Sequence, residues 1–262
     1  MFVGVTGANR APVDGLAPAD FVVREDGIAR EVIAVAPAPP PSHLALLVDD
    51  SDAARTIVSD LRSGLNGFLA RLATLGSPPA VSVMTFGERP TKVSDFSTSI
   101  PIAARAIQRI TPRPDSGAYF LDAIIEASRD LQKQKAERPV IVAFVIDDSP
   151  EFSERTHQSI EKALMEAHTS LSVVVLQSGR PSDSPLVRER NVVIGDTTSA
   201  TGGVQQLILS KEGIAHGLDA VASALLSRYD VTYGRPDSMI PPSKLSVEVR
   251  DRSLRVTAPH AP

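Results

Sequence analysis

The stretch Leu44-Ala45-Leu46-Leu47-Val48-Asp49-Asp50-Ser51-Asp52 runs from five apolar residues straight into three acids and a serine. An apolar run this short, followed by polar residues and then a helical pattern, predicts a strand buried on both faces of a parallel sheet. The carboxyl end of such a strand opens onto the crevice in which open α/β sheets bind ligands. Val140-Ile141-Val142-Ala143-Phe144-Val145-Ile146 repeats the pattern and ends in Asp147-Asp148-Ser149. Two strands that both end in paired aspartates place a single acidic site at the strand ends.

Around these strands the pattern alternates. Ile57, Leu61, Leu65, Phe68, Leu69 and Leu72 fall on one helical face. Ala80 to Phe86 reads as a strand, Thr91 to Phe96 as an edge strand and Ile102 to Ile110 as a short helix. Leu121, Ile124, Ile125, Ser128 and Leu131 mark a further helix, and another surrounds Ile160 to Ala167. Leu171 to Leu176 is a strand, Ser178 to Ser199 has weak periodicity, and Gly202-Gly203 is a breaker, read as a turn, before Val204 to Leu209. Leu218, Val221, Ala222, Leu225 and Leu226 form the last helix. This alternation predicts an α/β, Rossmann-like doubly wound, mostly parallel sheet with helices on both faces.

Both ends of the chain read as β. Phe2 to Val5 is a strand with a turn at Gly7-Ala8-Asn9, and Phe21-Val22-Val23 leads through Asp26-Gly27 into Ile28 to Val35 as a hairpin. A piece of about 40 residues or fewer rarely buries a core alone. Its partner is the tail, where Tyr229, Val231 and Tyr233 alternate, as do Leu245, Val247 and Val249; Asp251-Arg252-Ser253 turns the chain before Leu254 and Val256. The expected architecture is a small β-sandwich from residues 1–36 and 229–262, a proline-rich linker at 37–43, and an inserted α/β unit at 44–228.

Composition narrows the function. With 42% hydrophobic and 22% charged residues, the 262-residue chain is an ordinary globular one. A net charge of -4 and a pI near 5.8 make no electrostatic case for nucleic acid or an anionic membrane. Aromatics make up only 4% and tryptophan is absent, which argues against stacking platforms for single strands. The absence of cysteine removes disulfides, thiolate catalysis and cysteine-bound zinc. No apolar run reaches the roughly 20 residues of a membrane span. Met1 runs directly into the first strand, so the lack of a visible signal sequence says little about compartment.

Several short motifs occur in order: Val13-Asp14-Gly15-Leu16, Asp20-Phe21, Glu25-Asp26-Gly27, Leu46-Leu47-Val48-Asp49-Asp50-Ser51, Val83-Met84-Thr85-Phe86-Gly87, Leu121-Asp122-Ala123 and Ala200-Thr201-Gly202-Gly203. In this order and spacing the chain resembles the bacterial von Willebrand factor A-related proteins, in which β segments flank the A domain. The likeness covers nearly all of the chain. It implies an exported, extracytoplasmic protein that binds another protein through the crevice and catalyses nothing. It also implies a metal-ion-dependent adhesion site: Asp-x-Ser-x-Ser after the first strand, a threonine before the third helix and an aspartate after the fourth strand. Magnesium favours such hard oxygen ligands in octahedral geometry.

Asp49, Ser51 and Asp147 match that pattern, but Ala53 and Ala118 stand where the second serine and the threonine belong. A methyl group cannot coordinate, so the site is expected to be degenerate and to need no cofactor. Asp50, Asp52 and Asp148 leave room for weak magnesium or calcium binding, as would a loop shift bringing in Asp115 or Ser116. The expected binding crevice comprises Asp50, Asp52, Ala53, Ser116, Ala118, Tyr119 and Asp148, facing an unidentified protein partner.

Other readings are milder. Ser51 or Asp52 suits the amino-terminal cap of the first helix, and Asp122 a helix dipole. His157 and His168 read as exposed helix positions, and Arg188-Glu189-Arg190 as a solvated face. No Gly-x-Ser-x-Gly elbow and no Walker lysine is present. Asp50-x-Asp52, Thr85 and Asp147-Asp148 also imitate the haloacid-dehalogenase phosphatase layout, with magnesium and with Lys133 or Lys135 as the required lysine. The third alternative is a structural or assembly role through the β-sandwich.

Overall fold

The computed structural model describes the chain except residues 9–10, 178–182, 236–241, 243 and 261–262. The central element is β5 (His43–Val48), the apolar run of the sequence, with five of its six residues buried. It lies between β6 (Ala80–Thr85) and β8 (Pro139–Ile146), parallel to both. β9 (Ser170–Leu176) and β10 (Gln205–Ile208) extend the parallel sheet beyond β8. β7 (Thr91–Ser97) closes the other edge antiparallel to β6, so the order is β10-β9-β8-β5-β6-β7. The chain therefore reverses its direction of winding between β5 and β8. That is the switch point where open α/β sheets form their binding crevice, and both acidic strand ends sit there.

Alternate side chains of each strand feed opposite layers, as the period of two requires. Leu44, Leu46 and Val48 point into a core shared with α1 (Val58–Ala73), α2 (Ile100–Gln108) and, past a three-residue α6 (Thr198–Ala200), α7 (Ile214–Leu226). Ala45 and Leu47 point into a second core against α3 (Phe120–Gln134) and α4 (His157–Glu166). All six apolar positions read on the first helix are buried. The weakly periodic stretch holds α5 (Pro185–Val192), which continues through a π turn (Val193–Thr197) into α6; part of that stretch lies outside the described residues. At the turn before β10, a Cβ on Gly203 would stand 1.6 Å from the Leu171 carbonyl oxygen. Only glycine lets β9 and this turn meet.

The two ends of the chain do form a β-sandwich. β13 (Arg255–Thr257), β1 (Phe2–Thr6), β11 (Arg228–Tyr233) and β4 (Val32–Pro37) make one sheet; β12 (Leu245–Val249), β2 (Phe21–Glu25) and β3 (Ile28–Arg30) make the other. Val3, Val5, Phe21, Val23, Tyr229, Val231 and Leu245 fill the space between them. Asp26 and Gly27 both take positive φ, 48° and 84°, as a two-residue type I′ hairpin turn requires. The strand read as continuous from Ile28 to Val35 is broken at Glu31: β3 pairs with β2, whereas β4 crosses to the other sheet and pairs with β11. Pro37, read as the first residue of the linker, is instead the last of β4, an edge strand on which a missing N–H costs nothing. His43, at the far end of that linker, already belongs to β5. The turn expected at Gly7-Ala8-Asn9 lies partly outside the described residues. Among the described residues no helix is long and apolar enough to cross a membrane.

Candidate functional site

Asp49 leaves the end of β5 fully buried, and its carboxylate binds two strand ends together. Oδ1 accepts the Ser51 amide at 3.0 Å and Oδ2 accepts the Ile146 amide at 3.2 Å. Burial pushes its pKa up to about 6, against these hydrogen bonds. Ser51 does not cap a helix: α1 begins only at Val58, and the Ser51 hydroxyl lies 2.9 Å from that of Ser149, both buried. The amino-terminal-cap expectation thus fails, because a short 3-10 turn over Asp52–Thr56 intervenes and takes no side-chain cap.

Asp50 faces the other way. Its Oδ1 accepts the Gly87 amide at 2.6 Å and its Oδ2 accepts Arg113 Nε at 3.0 Å. Arg113 also pairs with Glu88 at 2.9 Å. Burial raises the Asp50 pKa, with the Gly87 amide and Arg113 opposing it. A Cβ on Gly87 would lie 2.7 Å from Asp50 Oδ1, so this contact needs the glycine. Asp50 is only 3% exposed and belongs to the scaffold rather than the crevice surface.

Arg190 is the residue that sequence reading misplaced. Instead of lying on a solvated face it is 0% exposed. Nη1 donates to the Ser149 carbonyl at 2.7 Å; Nη2 donates to the Asp147 carbonyl at 2.8 Å and to Asp147 Oδ1 at 3.2 Å. Burial lowers its pKa, while the carboxylates of Glu151, Asp147, Asp49 and Asp148 support the charged form. A fixed guanidinium thus brings one positive charge to the acidic end of β8. The signal was present in the sequence: Val187, Arg190 and Ile194 share one helical face, the buried one. A lone arginine on an apolar stripe needs a buried partner. Its neighbour Glu189 accepts the amide and ring of His157, each at 2.7 Å, so His157 is tied down rather than free. His168 is exposed, as read, but follows α4 in a left-handed conformation.

Three loops converge on Ala118. Its backbone bridges Gly87 on one side and Glu151 on the other. Its amide donates to the Pro150 carbonyl at 2.7 Å, and the Phe152 amide donates to its carbonyl at 2.8 Å. Ala118 is 0% exposed, so it underlies the crevice instead of lining it. Tyr119 sits half-buried beside it, its ring 5.9 Å from that of Phe152, which is 47% exposed. Asp52 pairs with Arg55 and accepts the Asp115 amide at 3.4 Å. Ser116 donates its hydroxyl to the Arg113 carbonyl at 2.9 Å. Ala53 is partly buried against the core and Asp148 is exposed. Asp122, in the first turn of α3, pairs with Arg155. Glu151, which sequence reading passed over, is 2% exposed; Oε1 accepts the Ser153 amide at 3.0 Å and Oε2 has no partner among the described residues. Burial pushes its pKa up to about 7.

This donor set does not match an octahedral magnesium shell. The Ser51 hydroxyl is engaged by Ser149, Asp147 by Arg190, and the alanines at 53 and 118 offer nothing. The Ser116 hydroxyl is engaged by the Arg113 carbonyl. Among the described residues no three histidine, aspartate or glutamate side chains converge to hold an ion. The phosphatase layout fares no better. Asp50 is held by Gly87 and Arg113, and Lys133 pairs with Asp130 at the far end of α3. At 1.5 Å per residue, roughly 20 Å of helix separate Lys133 from the crevice. Lys135 lies beyond the end of the same helix.

No protein-family profile and no curated protein matches the chain. Solved structures do. The chain is similar to a von Willebrand factor type A structure from Catenulispora acidiphila, at 14% identity and TM-score 0.53, with 86% of this chain covering 50% of that one. It is similar to the SpRpn10 VWA domain, at 14% identity and TM-score 0.52, covering 71% of this chain and 97% of that one. It is also similar to the vWF domain of the type V pili tip protein Mfa5 from Porphyromonas gingivalis, at 9% identity and TM-score 0.52, covering 71% and 95%. The chain spans half the length of the Catenulispora protein.

Proposed function

We propose, from the von Willebrand factor A fold that its α/β unit adopts, that this chain is a non-enzymatic protein-interaction module whose crevice holds its partner without a divalent ion. The observation that carries this reading is the Arg190 guanidinium bonded to Ser149 and Asp147 at the end of β8. In a metal-dependent crevice a cation would neutralise the acids of the strand ends and present an open coordination position. Here the resident cation belongs to the protein, is bonded to the strand end itself, and offers no such position.

Recognition then falls to the surface above it. Tyr119 and the exposed Phe152 form an aromatic anchor, flanked by Asp52, Ser116 and Asp148. Aromatic anchors with a polar rim dominate binding energy at interfaces, and the acidic rim favours a basic partner surface. An extracytoplasmic setting is part of this reading, supported by the family resemblance and by the pilus-tip protein among the similar structures. The test is affinity capture from an extract of the source organism, in magnesium and in chelator, with the wild type and a Tyr119→Ser/Phe152→Ser variant. The expected result is a partner retained in both buffers and lost with the variant. Retention only with a divalent ion would refute the ion-free reading. Retention by the variant would move the interface elsewhere, with the β-sandwich the next surface to examine.

A further inference from the structure

A second concavity lies between the α/β unit and the β-sandwich, remote from the crevice. Its volume is about 550 Å³, within the roughly 300–1,000 Å³ of small-molecule sites. Its walls are mostly apolar, with Phe2, Leu164, Met165, Tyr233 and Pro259 contributing from both units. Two buried guanidiniums line it as well, Arg138 and Arg228, each 6% exposed.

Both are bound to the carboxyl end of α7. Arg138 Nη2 donates to the Leu225 carbonyl at 2.8 Å and Arg228 Nε to the Ala224 carbonyl at 3.2 Å. Arg138 Nη1 donates to the Pro39 carbonyl, and its Cζ lies 4.9 Å from the centre of the Phe2 ring. Capping a helix end is the plainest role for them. A helix carboxyl end, however, offers only about half a negative charge, against two full positive ones. No described carboxylate pairs with either guanidinium. Asp230, whose charge Arg138 feels, pairs with the Met1 amine, and Glu161 accepts the Thr197 hydroxyl. Glu137 and His168 face the same cleft but are exposed. The terminal nitrogens of Arg228 bond no described residue and are not among the sealed, unsatisfied atoms, so they open onto the cleft. Burial and the neighbouring Arg138 charge together push the Arg228 pKa down to about 10, which still leaves it charged at neutral pH. A buried, uncompensated fork of donors on an apolar wall is what an anion with an apolar body would satisfy.

We propose that this cleft binds a small amphipathic carboxylate, its head on the Arg228 fork and its chain against Phe2, Met165 and Tyr233. Such a ligand would bridge the two units and fix their relative placement. The experiment is calorimetric titration of the full chain with decanoate, and with decylammonium as the charge-reversed probe. Expected are saturable one-to-one binding of decanoate and none of decylammonium. Arg228→Gln should weaken decanoate binding at least about tenfold, the loss of a charge-assisted fork. If that variant does not fold, Met165→Trp, a substitution at an exposed wall position that crowds the cleft and keeps both arginines, must weaken binding instead. Equal binding of both probes, no saturation by decanoate up to millimolar concentration, or full decanoate affinity in either folded variant would overturn the proposal.

Discussion

Replacing Arg190 with alanine should unfold the α/β unit far more readily than any surface substitution. The guanidinium makes four hydrogen bonds, to the Ser149 carbonyl, the Asp147 carbonyl, Asp147 Oδ1 and Asn191 Oδ1, of which the last, on an exposed residue, can turn to water and leaves three to count. Orphaning three acceptors at about 1 kcal/mol each, the lower end of the usual range, gives about 3 kcal/mol. The carboxylates that lose their compensating charge add to this, and breaking a buried ion pair by removing one partner costs about 3–5 kcal/mol as a whole. Because Asp147 is partly exposed and can rehydrate, the lower half of that range is expected. At about 2–4 °C per kcal/mol for a chain of this size, the melting temperature should fall by roughly 10 °C. Urea titration followed by far-ultraviolet circular dichroism measures the loss. Arg190→Met, which keeps most of the buried volume, separates charge from packing and should recover less than half of it. A loss under about 1 kcal/mol for Arg190→Ala, the size of an exposed pair, would show that the guanidinium does not hold the crevice together.

Acid and glycine positions give the remaining expectations. Asp49 and Glu151 are ordinary carboxyls in the unfolded chain, but burial raises them to about 6 and about 7 in the fold. The folded state therefore keeps protons that the unfolded state has shed, and stability is lost as pH rises from about 4 through about 7, by up to about 3 kcal/mol per group. Urea midpoints at about pH 4.5 and about pH 8 check the sign; a more stable protein at the higher pH would contradict it. Glu151→Gln should flatten that slope by about half and raise stability at the higher pH, by less than the full amount because the new amide would lie where Oε2 has no partner. Gly203→Ala drives a Cβ to 1.6 Å from the Leu171 carbonyl oxygen and should cost at least about 3 kcal/mol, seen as lost soluble yield. Gly76→Ala, with nothing within 4 Å, serves as the tolerated control.

Most of the architecture could be read from pattern because each level of the sequence agreed with the next. Continuous apolar runs marked the central strands, a 3.6-residue period marked α1 and α3, and Asp26-Gly27 marked a hairpin whose turn needs positive φ at both residues. The errors share a cause. The break at Glu31 and the extension of β4 through Pro37 depend on which sheet a strand joins, and local propensity does not encode that. The helix cap expected of Ser51 or Asp52 gave way to partners distant in sequence, with Ser149 reaching Ser51 across 98 positions. Ala118 and Asp50 were expected at the surface, yet loop pairing and the Arg113 contact take them inside. Arg190 was misplaced because a charged triplet reads as solvated; only its phase relative to Val187 and Ile194 shows that it faces the core.

The ion-free crevice is tested most directly by calorimetric titration of the chelator-treated chain with magnesium and then calcium. Engaged ligands and a guanidinium already bonded to Asp147 predict no saturable heat at up to millimolar ion. One-to-one binding with micromolar affinity, lost on Asp49→Asn, would contradict the account.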